Sequence, residues 1–290
     1  MRDYVIMTDS CCDLSAQLAE ELELEVLPLS LTMGGKEYFN DLAGRDISFP
    51  DFYARLRAGE LATTSAVGVG AFSARMRELV SQGKDILCIN FSSALSTTYQ
   101  SATIAAEDLS REFPEATIRT VDSLCASGGQ GLLVYLCVQE KRRGKSLEEV
   151  RRFAEETKLH VCHWFTVDDL GHLKRGGRVS SATALFGTML SIKPVMHVDN
   201  GGHLTPVGKV RGRKASLLAL AEHMEQSVVD PAGQTVMITH GDCEDEARFL
   251  ADEIRRRCGV QDIRIHYVGP VIGNHSGPGT MALFFLGKER

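Results

Sequence analysis

The sequence predicts an α/β protein: two α/β domains, mostly parallel sheets flanked by helices. Three observations lead there. Short apolar runs alternate with longer amphipathic ones along all 290 residues, the β-then-α rhythm of parallel sheets. A chain of this length exceeds one ordinary core, so two domains are the default. The segments that follow the apparent strands are rich in Ser, Thr, Gly and His, and open parallel sheets present their ligands outside the carboxyl ends of strands.

Taken in order, residues 4–8 read as a buried strand, 14–22 as a helix and 24–31 as a strand. Helices follow at 49–57 and 72–80, a strand at 86–90, a helix at 96–109 and a strand at 117–121. Helices at 128–141 and 147–157 close the first unit. A second unit begins near 159, dividing the chain into domains 1–158 and 159–290. Its strands are 161–165, 192–198, 203–210, 236–239, 263–267 and 281–286, with helices at 217–228 and 245–257. Asp199-Asn200-Gly201-Gly202 closes a hairpin between the second and third of these strands.

Composition excludes several classes. The net charge of −6 argues against broad nucleic-acid binding, which needs a basic face. The basic triplets Lys141-Arg142-Arg143 and Arg255-Arg256-Arg257 fall at helix ends, where cations complement the dipole. The eight cysteines include no Cys-x-x-Cys pair, which removes zinc-ribbon and thioredoxin readings. No histidine pair has ligand spacing, so no metal and no cofactor are expected. The start lacks the apolar region of a signal peptide and no run of about 18 apolar residues occurs, so a reducing cytoplasm is the expected location.

Three constellations stand out. Ser92, Ser93 and Ser96 lie between a strand and a helix, and Thr97 and Gln100 have capping-box spacing. The segment reads equally as a capped helix start or as an anion cradle of hydroxyls and free N–H groups. Lys174-Arg175-Gly176-Gly177-Arg178-Val179-Ser180 is either a charged turn or an arginine presented to a carboxylate or phosphate, with Ser180 capping the next helix. The loop Lys209-Val210-Arg211-Gly212-Arg213-Lys214 is a second basic turn. His275 sits in a Gly/Pro-rich loop whose glycines permit close backbone approach to a ligand. Templates for catalysis are missing: no Gly-x-Ser-x-Gly elbow and no complete phosphate-binding loop occur. Ser93 with His275 remains a conceivable nucleophile–base pair.

In register, these segments resemble the DegV family of fatty-acid-binding proteins over nearly the whole chain. The likeness rests on Thr8-Asp9-Ser10 with Asp13-Leu14, the segment from Ser92 to Ala102, Leu173 to Ser180 with Ile192-Lys193-Pro194, and Gly269 to Gly279. The family often carries Thr-Ser-Gln-Pro-Ser where this chain has Thr64-Ser65-Ala66-Val67-Gly68, and Gly where it has Ala94. The resemblance implies a long-chain fatty acid between and within the two domains, its carboxylate held at Thr64, Ser93 and His275, with Ser92 as the neighbouring alternative. It implies that Arg178 and Arg211 serve the head group or dock a partner, a separate ATP-binding fatty acid kinase subunit. The chain itself then performs no chemistry and touches membrane surfaces only transiently. A serine-dependent acyl hydrolase and a regulatory binder of another small organic acid are the rival readings. Phe165, Leu185, Phe186, Met189, Leu190 and Ile192 are candidate tail contacts.

Overall fold

The computed structural model describes residues 2–179 and 191–290. Ser180, Leu185, Phe186, Met189 and Leu190 lie outside the described residues.

The first sheet is wholly parallel, in the order β2-β1-β6-β7, with β1 at Tyr4–Asp9, β2 at Glu25–Leu27, β6 at Asp85–Asn90 and β7 at Ile118–Asp122. Helices α3 (Val69–Ser81), α4 (Thr98–Glu112), α5 (Gly128–Arg142) and α6 (Leu147–Thr157) flank it. Every residue of β1 and β6 is buried, the continuous burial typical of strands covered on both faces. The expected strand over 24–31 is two strands. Pro28 separates β2 from β3 (Ser30–Met33), and β3 leaves for a small antiparallel sheet, β4-β3-β5, with β4 at Lys36–Phe39 and β5 at Ala62–Ser65. Proline has no N–H for a ladder, so a break at that position is physically natural.

The second sheet runs β10-β9-β8-β13-β11-β12. Its strands are β8 (Val161–Thr166), β9 (Ile192–Val198), β10 (Leu204–Arg211), β11 (Thr235–His240), β12 (Asp262–Tyr267) and β13 (Met281–Leu286). Helices α8 (Arg213–Ser227) and α9 (Glu244–Cys258) pack on it. This sheet is mixed: β11–β12 is parallel, whereas β13 runs antiparallel to both β8 and β11, and β9 to both β8 and β10. Apolar rhythm reports that strands and helices alternate; it carries no information about strand direction. The β9–β10 hairpin forms as the sequence leads one to expect, with Gly202 at φ +80° in its turn.

Between the two sheets lies α5. Leu132, Leu133, Val134 and Cys137 are wholly buried. Their core cluster takes Ile6, Leu87 and Ile89 from the first sheet and Met237 and Phe284 from the second. A helix apolar on all sides is one packed on all sides. The chain passes between the sheets at a 3₁₀ turn over Lys158–His160, while a single core spans both sides of that turn. The basic triplets close α5 and α9, as helix ends should. All eight cysteines are free.

The shared core has a measurable consequence. Leu133→Ala is expected to destabilise the protein by about 2–5 kcal/mol, the cost of a large-to-small change in a packed core. Calorimetry should show one unfolding transition moving as a unit. Two transitions of which only one moves would mean that residues 1–158 and 159–290 unfold independently.

Candidate functional site

Between the two sheets lies a largely apolar slot of about 460 Å³. Its walls come from elements far apart in sequence: β5, residues 91–97, the start of α5, β8, the β9–β10 hairpin, β13, and two short helices, α7 (Leu170–Arg175) and α10 (Pro270–Ser276). Strand alternation selects which residues face it. His163 and Phe165 of β8 and Ala282 and Phe284 of β13 point in, and they pair across the ladder as Phe284↔His163 and Ala282↔Phe165.

Polar groups gather at one end. Thr64 Oγ1 and His275 Nε2 are 2.8 Å apart, although 211 residues separate them in sequence. Ser93 and Arg178 line the same slot. The segment read as a loop around His275 is the helix α10, and Thr64, also read as a loop residue, is on strand β5. Gly176 explains part of the Gly-Gly-Arg motif, since a Cβ there would lie 2.2 Å from His275 Nδ1. Arg178 is held by its own turn and by the serine segment, donating from Nη1 to the Gly176 carbonyl at 2.5 Å and from Nε to that of Leu95 at 3.2 Å.

Burial and the neighbouring Arg178 charge push His275 down to about 4, so the imidazole is neutral at pH 7. Its Nδ1 is buried and finds no partner among the described residues. The tautomer protonated at Nε2 leaves no unpaired N–H. It donates to Thr64 Oγ1 and frees the threonine proton for an acceptor in the slot.

The anion cradle of free N–H groups expected in the serine segment is absent from the loop itself, while the N–H groups of Thr97, Tyr99 and Gln100 at the start of α4 have no hydrogen bond among the described residues. The Ser92 N–H donates to the Cys125 carbonyl, that of Ser93 to Asp122 Oδ1, and those of Leu95 and Ser96 to the Ser92 carbonyl. That of Ala94 goes to Ser92 Oγ at 3.3 Å. The capping box at Thr97 is likewise absent; Ser96 Oγ accepts from Thr98 N at 3.2 Å instead. What remains for a ligand is side-chain chemistry and the free N–H groups at the start of α4. Ser93 Oγ has no hydrogen bond among the described residues, whereas Ser92 Oγ is buried away from the slot and donates to the Gly202 carbonyl at 3.0 Å. Ser92 thus clamps the hairpin turn of the second sheet onto the first, and a Cβ on Gly202 would strike that hydroxyl at 2.2 Å. Arg211, exposed at the end of β10, lines neither the slot nor the cavity beside it. Ile192, half-buried on β9, is also outside the wall, while Phe165 is within it.

Sequence reading missed two further features. Asp13 is fully buried, accepting from Ser127 Oγ at 2.5 Å and from Gly269 N at 2.9 Å, so one carboxyl anchors the starts of both α5 and α10. Burial raises it to about 7. His163 lies in the apolar part of the slot with both nitrogens occupied, Nδ1 on the Val161 carbonyl at 2.8 Å and Nε2 accepting from Ala126 N at 3.3 Å. Satisfied in this way, edge-on to Phe284, it serves as wall. The alternation of β8 was the one available signal for it.

A second cavity, about 530 Å³, adjoins the polar end and shares Thr64, Arg178 and His275 with the slot. Arg175, His172 and the highly exposed Leu61 also line it. Among the described residues no group of three or more His, Cys, Asp or Glu is placed to hold a metal, and no helix is long and apolar enough to cross a membrane.

Fold and site together define a two-sheet α/β protein with an apolar slot that is polar at one end. The chain belongs to the DegV family: a family model described as an uncharacterised protein of the DegV family matches residues 3–288. It is 45% identical over 290 residues to a DegV domain-containing protein of Clostridium perfringens, covering 100% of this chain and 99% of that one. Among solved structures it resembles a fatty-acid-binding DegV-family protein of Thermus thermophilus (TM-score 0.88, 28% identity, 99% of this chain and 100% of that one). It also resembles DegV, a fatty-acid-binding protein of Bacillus subtilis (TM-score 0.85, 27% identity, 99% and 100%).

The depressed His275 predicts a pH dependence. A histidine whose pKa is lowered by folding contributes stability that is fully present above about 6.5 and is lost as pH falls towards 4. The difference in melting temperature between the wild type and His275→Gln should therefore shrink from pH 7 to pH 4.5. His266, also pushed down to about 4, is common to both proteins and cancels. A constant difference would place His275 in water.

Proposed function

We propose that this protein binds a long-chain fatty acid, with its tail in the slot and its carboxylate at Thr64, Ser93 and His275, and presents it to a separate ATP-dependent fatty acid kinase subunit. The observation that carries the reading is the make-up of the slot: Phe165, Ala282 and Phe284 of β8 and β13 give it an apolar wall, and the contact between Thr64 and His275 gives it a polar end where β5 meets α10. Burying an acyl chain contributes about 0.8 kcal/mol per methylene. The carboxylate then needs donors, because an unpaired buried charge is costly. The Thr64 proton, the Ser93 hydroxyl and the nearby guanidinium of Arg178 supply them. The similarity to fatty-acid-binding relatives of 27–28% identity supports the same ligand class.

The cavity beside the head group supports presentation. Phosphoryl transfer forms a bond between a carboxylate oxygen and the γ-phosphorus of ATP, breaks the bond to the bridging oxygen and releases ADP. The acyl phosphate formed needs room and positive charge next to the carboxylate, and the adjoining cavity offers both at Arg175 and Arg178. A hydrolase is disfavoured: His275 is bonded to Thr64 rather than Ser93, and no carboxylate orients its other nitrogen among the described residues. A triad needs both contacts.

Organic extracts of the freshly purified protein should contain a stoichiometric long-chain fatty acid, and delipidation should lower the melting temperature. Thr64→Ala and Ser93→Ala should each weaken acid binding about tenfold to a hundredfold, the scale of a hydrogen bond to a charged group, and His275→Ala should weaken it by removing the partner that orients the Thr64 hydroxyl. They should weaken fatty alcohol binding far less. Equal loss for acid and alcohol would overturn the head-group assignment, and absence of lipid would overturn the carrier reading in favour of another small acid.

Arg178 and Arg211 separate the two halves of the proposal. Arg178→Ala should weaken both fatty acid binding and acyl phosphate formation by a reconstituted kinase. Arg211→Ala should bind acid normally and fail only in the kinase assay. Normal phosphorylation with Arg211→Ala would make Arg211 an ordinary surface charge.

A further inference from the structure

Two buried polar atoms of α10 lack a hydrogen-bond partner among the described residues: His275 Nδ1 and Ser276 Oγ. The first faces the close backbone of Gly176. The second has no such explanation. Ser276 is 5% exposed and forms part of the slot wall, but not of the adjoining cavity. As the last residue of α10 it is placed to bond back to a carbonyl one turn earlier, the usual outlet for a helical serine, yet that bond is not made. The slot's other hydroxyls away from the head group are occupied, Thr280 by the Gly277 carbonyl and Ser127 by Asp13. Buried hydroxyls are rarely left unpaired in native proteins, so an unpaired one in a ligand slot points at the ligand.

We infer that Ser276 is a further positioning residue for the carboxylate, its hydroxyl completing the set supplied by Thr64 and Ser93. The inference rests on the fatty acid reading above. Ser276 adjoins His275 on α10 and lines the slot but not the cavity beyond the head group, which puts its hydroxyl on the slot side of that helix. The first carbons of a plain acyl chain offer no acceptor there. A carboxylate has two oxygens and about four acceptor positions, more than Thr64 and Ser93 fill.

The test uses the delipidated full-length chain with hexadecanoate, hexadecanol and 3-hydroxyhexadecanoate, read by calorimetric titration and by melting temperature. Ser276→Ala should weaken hexadecanoate binding about tenfold and hexadecanol much less, and should reduce the stabilisation that hexadecanoate confers. The melting temperature of the ligand-free protein should stay the same or rise, because a buried hydroxyl without a partner is removed. Unchanged hexadecanoate affinity, equal loss for acid and alcohol, a lower ligand-free melting temperature, or a deficit confined to the 3-hydroxy acid would each overturn the assignment. Wild-type protein that binds no hexadecanoate would sink the fatty acid reading itself; wild-type binding matched by Ser276→Ala would sink this inference alone.

Discussion

One buried carboxyl group holds the two halves of the site in register. Asp13 ends the 3₁₀ turn Ser10–Cys12 that follows β1, in the left-handed conformation at φ 47°, and receives hydrogen bonds from Ser127, at the start of α5, and from Gly269, at the start of α10. The first sheet, the central helix and the helix carrying His275 therefore meet at a single group. Ser127 also contacts Thr239 of β11 at 2.9 Å, which extends the connection into the second sheet. Burying a carboxyl group is costly unless its oxygens are satisfied, so the arrangement tolerates little displacement. Asp9 acts similarly at the end of the same strand, accepting from Phe91 N at 2.9 Å and so fixing where the serine segment departs.

The electrostatics of the polar end follow from these anchors. Backbone N–H groups of the serine loop are consumed in holding its own shape, which leaves hydroxyls, the free N–H groups at the start of α4, a neutral imidazole and a guanidinium to meet a ligand. A neutral histidine beside Arg178 is the consistent state, since a second buried cation would be repelled. The site thus presents one fixed positive charge and several adaptable donors, a combination suited to a single anion at the mouth of an apolar slot.

Much of this was legible in the residues. The helices at 49–57 and 147–157 and the strands at 192–198 and 281–286 were placed to the residue, because amphipathic period and strand alternation are local signals. Thr64, Ser93, Arg178 and His275 were singled out from side-chain chemistry and family resemblance, and all four line one slot. Ser92 shows the limit of that reasoning. It is chemically identical to Ser93 and adjacent to it, yet it faces Gly202 rather than the slot. The small sheet that carries Thr64 was not read because β3 runs on from the β2 segment and the short strands β4 and β5 carry no apolar alternation.

By itself, the sequence determined the alternation of elements, the class of fold, the chemistry available for an anion and the absence of the usual catalytic templates. All of these are encoded by residue type and spacing within a few turns of chain. Tertiary structure alone decided strand direction in the second sheet, which serine faces the ligand, the contact of Thr64 with His275 across 211 residues, and the unpaired hydroxyl of Ser276. Each of these depends on which distant groups occupy a hydrogen-bonding direction. That is fixed only when two sheets close on a common core, so no local pattern records it.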